Sequence, residues 1–260
     1  MPFTTDGSVH HSGINNERDI CLFLNTKSSS IRSAICPENS IVEHRGGTGS
    51  KADAEIVCPS PSDNKTVSIK HHKTGTFDWL NSSSAIPHTT KNPLNTGLQD
   101  IRNTYNKSSQ KSTDIKNART STNDLLNKHL CTMTNETIKT VLSNCYNIYT
   151  DYVIIKNVTK KELVAFDRHK NIPELKTYED WTYFLKSTPR AKTSAQIWRR
   201  NAEGQEVNTK LRIRLVLNNG VNALLGISTK NKSSVACIKI QQDDVAQFIA
   251  SLIDPIKETY

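Results

Sequence analysis

The stretch Pro59-Ser60-Pro61-Ser62-Asp63-Asn64 constrains this chain more than any other. Two prolines, two serines and an Asp-Asn pair suit neither a helix nor a sheet ladder, so the segment is a loop. It is flanked by Ala52–Val57 (ADAEIV) and Thr66–Lys70 (TVSIK), short alternating runs with β-branched residues. Two such runs around a compact loop predict an antiparallel hairpin. A register that sets Asp53 opposite Lys70 also sets Glu55 opposite Ser68. Residues i and i+2 of a strand share a face, so these four polar side chains project together while Ala54, Ile56 and Ile69 face the other way.

Upstream, residues 1–12 read as a flexible leader and Gly13–Leu24 as a short helix. Ile20, Cys21 and Leu24 fall at helical spacing there, with Glu17 one turn before Cys21. Lys27–Arg32 reads as a serine-rich loop, and Ser40–His44 as a strand ending in the glycine turn Arg45-Gly46-Gly47-Thr48-Gly49. Amphipathic helical patterns occupy 85–107 and 114–150, clearest in NDLLNKHLC and ETIKTVLSNCYNIYTDYVI, and continue more weakly over 160–185. From Lys210 the period changes to two: Leu211, Ile213, Leu215 and Leu217 alternate with Arg212, Arg214 and Val216, a half-buried strand with its arginines outward. Asn222–Ser228 and Ser234–Gln241 are expected to pair as a hairpin. A last helix starts at Asp243, with Val245, Phe248, Ile249 and Leu252 on one face.

The net charge of +9 is concentrated. Lys186 to Lys239 holds 11 basic residues against Glu203 and Glu206, and 11 minus 2 is the whole excess of +9. A basic segment of this kind is the footprint of a polyanionic partner. No stretch is apolar enough to span a membrane and the N-terminus lacks a secretory pattern, so no membrane partner and a cytoplasmic location are expected. The six cysteines form no C-x-x-C pair, and those in ICLFL, EIVC and VACIKI sit in apolar runs. They read as reduced, buried thiols.

Grouped carboxylates and a lysine are costly to bury singly and are satisfied together by a divalent cation. Hard oxygen ligands suit Mg2+, which binds through one or two carboxylates plus substrate phosphate. Asp53 is then the central ligand, the Ile69 carbonyl a second, and Lys70 the group that orients water and stabilises charge on phosphate. The pattern GGTGSKADAE followed by SIK resembles the PD-(D/E)XK nuclease superfamily, and within it the small type II restriction endonucleases that cut four-base sites. NNERDI at Asn15–Ile20 resembles that family's first helix, which implies a metal-shell role for Glu17. Two positions depart from the pattern: Ala52 stands where a proline is usual, and Ser68 where an acid is usual. Glu17 or Glu55 would supply the missing ligand.

The resemblance implies an α/β fold, with a mixed central β-sheet of restriction-endonuclease-like type flanked by helices and a C-terminal β element. Residues 1–12 are then the leader, 13–185 a nuclease core with a helical middle, and 186–260 a basic β element and terminal helix for DNA recognition. The implied activity is Mg2+-dependent, site-specific hydrolysis of double-stranded DNA, with a DNA methyltransferase as functional partner and a homodimer as an open assembly state. The alternatives are a homing or repair endonuclease of the same superfamily, or a non-catalytic DNA-binding protein.

For DNA contact, the sequence offers Lys73, Arg199, Arg200, Lys210, Arg212, Arg214, Lys230, Lys232, Lys239 and Gln241. Arginine pairs bidentately with guanine, and glutamine with adenine. Phe77 and Trp79 are either core or aromatics that contact a base pair. Ser82, Ser83 and Ser84 are positioned to cap the following helix.

Overall fold

The computed structural model describes residues 8–26, 29–36, 39–45, 52–72, 76–82, 93–105, 112–147, 150–171, 179–187, 193–228 and 234–260. In chain order the elements are α1 (Ser8–Leu24), α2 (Ser30–Ile35), β1 (Ile41–His44), β2 (Ala54–Val57), β3 (Lys65–His72), β4 (Phe77–Ser82), α3 (Pro93–Tyr105), α4 (Ser112–Cys131) and α5 (Asn135–Asn147). There follow β5 (Tyr152–Asn157), β6 (Glu162–Asp167), α6 (Arg168–Asn171), β7 (Thr182–Ser187), β8 (Ser194–Arg200), β9 (Glu206–Leu217), α7 (Gly220–Leu224), β10 (Ala236–Gln242), α8 (Val245–Ala250) and β11 (Ile256–Thr259). The fold is mixed α/β. Its two compact units are discontinuous in sequence: Met1–Phe77, Asn147–Pro173 and Asp244–Tyr260 form the first, and Asp78–Tyr146 and Glu174–Asp243 the second. This division differs from consecutive blocks at 13–185 and 186–260, because α8 and β11 join the first unit and the helical middle joins the second.

The first unit is built on a sheet of order β1-β2-β3-β5-β6-β11. It is mixed, with β3 parallel to β5 and the other pairs antiparallel. Ala54, Ile56, Val67, Ile69, Ile154, Leu163 and Ala165 bury one face against Ile20, Cys21 and Leu24 of α1 and Ile31 of α2. On the opposite face Val153, Ile155, Val164 and Phe166 are also buried, and Phe166 meets Phe248 of α8 edge to face at 5.7 Å. Strands buried on both sides read as continuous apolar runs. That is why YVII and LVAF pass for helix in the sequence: such runs are ambiguous by period alone. The weak helical pattern expected over 160–185 is in fact β6, α6 and β7.

Local chemistry accounts for other differences. α1 begins at Ser8, inside the expected leader. The serine-rich segment is not all loop, because Ser29 caps α2 by accepting from the Arg32 amide at 3.2 Å. Glu258 of β11 accepts from Ser29 Oγ and from the Ile31 amide, both at 3.1 Å, and so ties the last strand to the start of α2. Asp151 Oδ2 accepts from both the amide and the hydroxyl of Thr66 at 2.9 Å, clasping the start of β5 to β3.

The second unit has an antiparallel core in a sheet of order β4-β10-β9-β8-β7. Tyr183, Ile197, Leu211, Ile213, Leu215, Ile238 and Ile240 bury one face, and α4 contacts β8 and β9. α3 and α4 approach closely at Gly97, where a Cβ would stand 2.8 Å from Leu125 Cδ1. The hairpin expected between 222–228 and 234–241 does not form. Residues Gly220–Leu224 turn into α7, and β10 pairs instead with β9, Ala236 opposite Leu217.

Cys36 and Cys58 are joined Sγ to Sγ, with their Cα atoms 6.2 Å apart. This corrects the expectation that every cysteine is a free thiol: the end of α2 and the end of β2 lie side by side. Cys21, Cys145 and Cys237 are free and buried, whereas Cys131 is free and exposed. Among the described residues, no helix is long and apolar enough to cross a membrane.

Ile154 has no exposed surface and sits in the core between sheet and α1. Ile154→Ala is expected to destabilise the first unit by about 2–5 kcal/mol, read as a lowered midpoint in urea unfolding.

Candidate functional site

The hairpin forms, with a register that differs from the expected one by two residues. Ala54 faces Val67, Glu55 faces Thr66 and Ile56 faces Lys65. A single helical turn at Pro61–Asp63, with Asn64 Oδ1 accepting from the Cys58 amide at 2.9 Å, closes the loop tightly enough for β3 to start at Lys65. Asp53 therefore stands across from Ser68 rather than Lys70. A slip of two preserves the side of every residue, whereas a slip of one would have reversed them.

Asp53 lies just before β2, where the ladder to β3 ends. Its amide donates to the Val67 carbonyl at 3.0 Å, and its Oδ2 accepts from the Ile69 amide at 2.6 Å. The carboxylate thus satisfies a strand N–H that β2 no longer reaches. The N–H and C=O of one strand residue point to the same side, so the Ile69 carbonyl is directed toward Asp53 as well.

α1 contributes Glu17 from the face that packs on the sheet. Glu17 Oε2 lies 3.2 Å from Nε2 of His44 at the end of β1. Burial raises the Glu17 pKa, the negative charge of Asp53 adds to the rise, and His44 and Lys70 oppose it. The Cys21 thiol is pushed up to about 11 by burial and by the charges of Glu17 and Asp53. The charges of Asp53 and Lys70 thus reach Glu17, while strand alternation sets Lys70, next to Ile69 and across from Ile155, on the sheet face away from α1. Ser68 is buried, only 3% exposed.

Glu55 goes elsewhere. It accepts from Arg45 Nε at 2.9 Å and from Asn64 Nδ2 at 3.1 Å. Of the two acids offered by the sequence as the second ligand, Glu17 is held by His44, with its pKa raised in part by the charge of Asp53, and Glu55 is held by Arg45. The sequence reading omits His44. The alternation of Ile41–His44, which sets His44 on the same face as buried Val42, is the signal that points to it.

Among the described residues, no three His, Cys, Asp or Glu side chains form a ready metal cage. The oxygen donors present nonetheless fit Mg2+, which needs only one or two carboxylates and takes the rest from water and phosphate. Asp53 is engaged through Oδ2 by the Ile69 amide and Glu17 through Oε2 by His44.

The basic residues of the second unit divide between two faces of its sheet. Lys210, Arg212 and Arg214 share the face opposite the core with Lys239 and Gln241, which stand across from Arg214 and Arg212. Arg200 is on that face too. Arg199, as its strand neighbour, points to the other and stacks over Trp181 at 4.7 Å. Sequence adjacency had grouped the two arginines, but strand alternation separates them. Several cations have acid partners: Arg212 with Asp243 at 3.0 Å, Lys239 with Asp78 at 2.7 Å, and both Lys186 and Arg200 with Glu206. Gln241 donates to Asp78 at 2.7 Å. Phe77 is core, 5% exposed and packed edge to face on Phe248, and Trp79 is buried with its Nε1 donating to Gln242. Lys73, Lys230, Lys232, Ser83, Ser84 and the glycine turn at 46–49 lie outside the described residues.

Comparison of the chain with protein-family models, with curated proteins and with solved structures finds no match.

For Glu17 the pKa shift has a defined sign. A carboxyl raised above its ordinary value near 4.5 binds more protons folded than unfolded, so the stability it lends at low pH is lost as pH rises through the window above 4.5. Glu17→Gln keeps an acceptor for His44 and removes the buried charge. In buffer free of divalent ions at pH 7 the variant is expected to melt above the parent, with a shallower fall in stability as pH climbs from 4.5. Thermal unfolding across pH measures both.

Proposed function

We propose that this chain is a Mg2+-dependent endonuclease that hydrolyses phosphodiester bonds of double-stranded DNA at a short specific site, in the manner of a type II restriction enzyme. The observation that carries the reading is the Asp53 carboxylate held on β3 by the Ile69 amide at 2.6 Å, one residue before Lys70. Two carboxylates and a lysine suit phosphoryl chemistry: the acids hold a cation, and the amine answers the negative charge of the phosphate.

Asp53 and Glu17 would hold the ion, with the Ile69 carbonyl beside them. Mg2+, when bound, supplies a Lewis acid for the phosphoryl oxygen and a bound water of lowered pKa. Asp53 also fixes the backbone of β3 through the Ile69 amide, which holds Lys70 in position one residue further on. His44 orients Glu17. Lys70 stabilises charge on the scissile phosphate and orients the attacking water. Ser68, where the related pattern carries an acid, is replaced as a ligand by Glu17. An enzyme of this kind works beside a DNA methyltransferase that protects the same site.

Incubation of the purified chain with plasmid and Mg2+ is expected to give discrete fragments, with none in EDTA. Asp53→Ala and Lys70→Ala are each expected to lower cleavage by at least about 100-fold. Glu17→Gln is expected to raise the Mg2+ concentration required, and Glu55→Gln to leave cleavage intact. Sequencing the fragment ends gives the site and the cut position. Cleavage that survives both Asp53→Ala and Lys70→Ala, or a gel shift with no cleavage at all, sinks the proposal.

A further inference from the structure

The solvent face of the second unit's sheet carries an aromatic pair amid its cations. Phe184 of β7 stands directly opposite Trp198 of β8, and Lys186 and Arg200 flank them on the same face. Lys186 Nζ lies 3.8 Å from the centre of the Trp198 ring, and the Arg200 guanidinium 5.0 Å from that of Phe184. Both rings are half-buried, unlike the core side chains of the opposite face. The groups over them are a partly exposed lysine and an exposed arginine that share Glu206 as their acid partner.

The face is also shaped for a strand rather than a groove. Across from Ile197 of β8 stand three residues of β9, Thr209, Lys210 and Leu211, because Gln196 pairs with Arg212 and Trp198 with Asn208. The Thr209 hydroxyl fills the irregularity by donating to the Ile197 carbonyl at 2.6 Å. Lys210 takes φ 60 there, a left-handed conformation, and its side chain is exposed. Bulges of this kind bend a strand and re-aim a side chain. Lys210, Arg212 and Arg214 then run as a cationic row from the bulge along β9. Against Lys186, Arg200, Lys210, Arg212, Arg214 and Lys239 the face sets three partner acids, Asp78, Glu206 and Asp243. Six minus three leaves an excess of three positive charges.

β9 has β10 on one side and β8 on the other. Five strands spaced by about 4.8 Å make a surface about 19 Å across, whereas the DNA major groove is about 12 Å wide and admits a helix or a two-stranded ribbon. The arginines of β9 are therefore not presented as a groove-reading ribbon. A broad sheet face with aromatics and cations is the geometry on which unstacked bases lie flat while the backbone follows the positive row.

We propose that this face binds single-stranded nucleic acid, with bases stacked on Trp198 and Phe184 and phosphates along Lys210 and Arg214. The platform belongs to the second unit and does not depend on hydrolysis in the first.

The test uses the full chain in EDTA, so that no cleavage intervenes, with labelled oligo(dT) of about 20 nucleotides and a duplex of equal length. Fluorescence anisotropy is expected to show tighter binding of the single strand, with quenching of tryptophan emission. Trp198→Leu is expected to weaken binding about 10-fold and to abolish the quenching, which separates Trp198 from Trp79 and Trp181. Lys210→Ala with Arg214→Ala, both exposed and so neutral for folding, is expected to reduce the slope of log affinity against log salt by about 1.4. Duplex bound as tightly as the single strand overturns the proposal. So does single-strand binding that ignores both sets of substitutions, or binding of neither nucleic acid at low salt. Because the ion is absent throughout, these outcomes leave the endonuclease proposal to its own assay.

Discussion

The first unit is organised around one short hydrogen bond, from the Ile69 amide to the Asp53 carboxylate at 2.6 Å. β2 stops pairing with β3 just before this point, and an unpaired strand amide in a half-buried place is costly. Asp53 answers that amide and in doing so is held at the seam where two strands part. Lys70 is one residue further along β3, and α1 must pack over the same seam to bury Ile20, Cys21 and Leu24. A demand of the backbone and a demand of the core thus bring charged groups together at a place where neither would go alone.

The arrangement carries an electrostatic cost. The charge of Asp53 adds to the rise that burial imposes on the Glu17 carboxyl, and the field of both acids extends to the Cys21 thiol. His44 and Lys70 offset part of it. A half-buried carboxyl whose pKa is raised by burial and by a second acid, as at Glu17, is what makes this seam a candidate site. Glu55 shows the contrast. Paired with Arg45 and Asn64, it ties the hairpin loop to the end of β1.

Much of this was legible in the residues. The proline-rich loop fixed a hairpin, the alternation of ADAEIV and TVSIK fixed the side on which each residue lies, and β9 could be read from its period of two. The register could not, because it depends on how tightly the turn at Pro61–Asp63 closes, which the loop's composition leaves open. β5 and β6 escaped because burial on both faces erases alternation. β11 escaped because four residues after Asp254-Pro255 carry too little pattern, and its partner β6 lies some ninety positions away. Lys239, Gln241 and Arg212 were legible as surface residues, but their acid partners Asp78 and Asp243 are contributed by other stretches of chain. Arg199 and Arg200 show the opposite error, in which adjacency along the chain suggested a shared role that strand geometry denies.

The position of β11 has a consequence for biosynthesis. The chain leaves the first unit after Phe77, returns at Asn147, leaves again after Pro173 and comes back only at Asp244. Until residues 256–259 emerge from the ribosome, the outer edge of β6 has no neighbour and α2 has no Glu258 to hold its first turn. The second unit can finish earlier, since Asp243 is its last residue. A nascent chain therefore displays a completed cationic sheet before the sheet of its first unit is closed, and the open β6 edge is the place where a stalled or truncated product would pair with another copy.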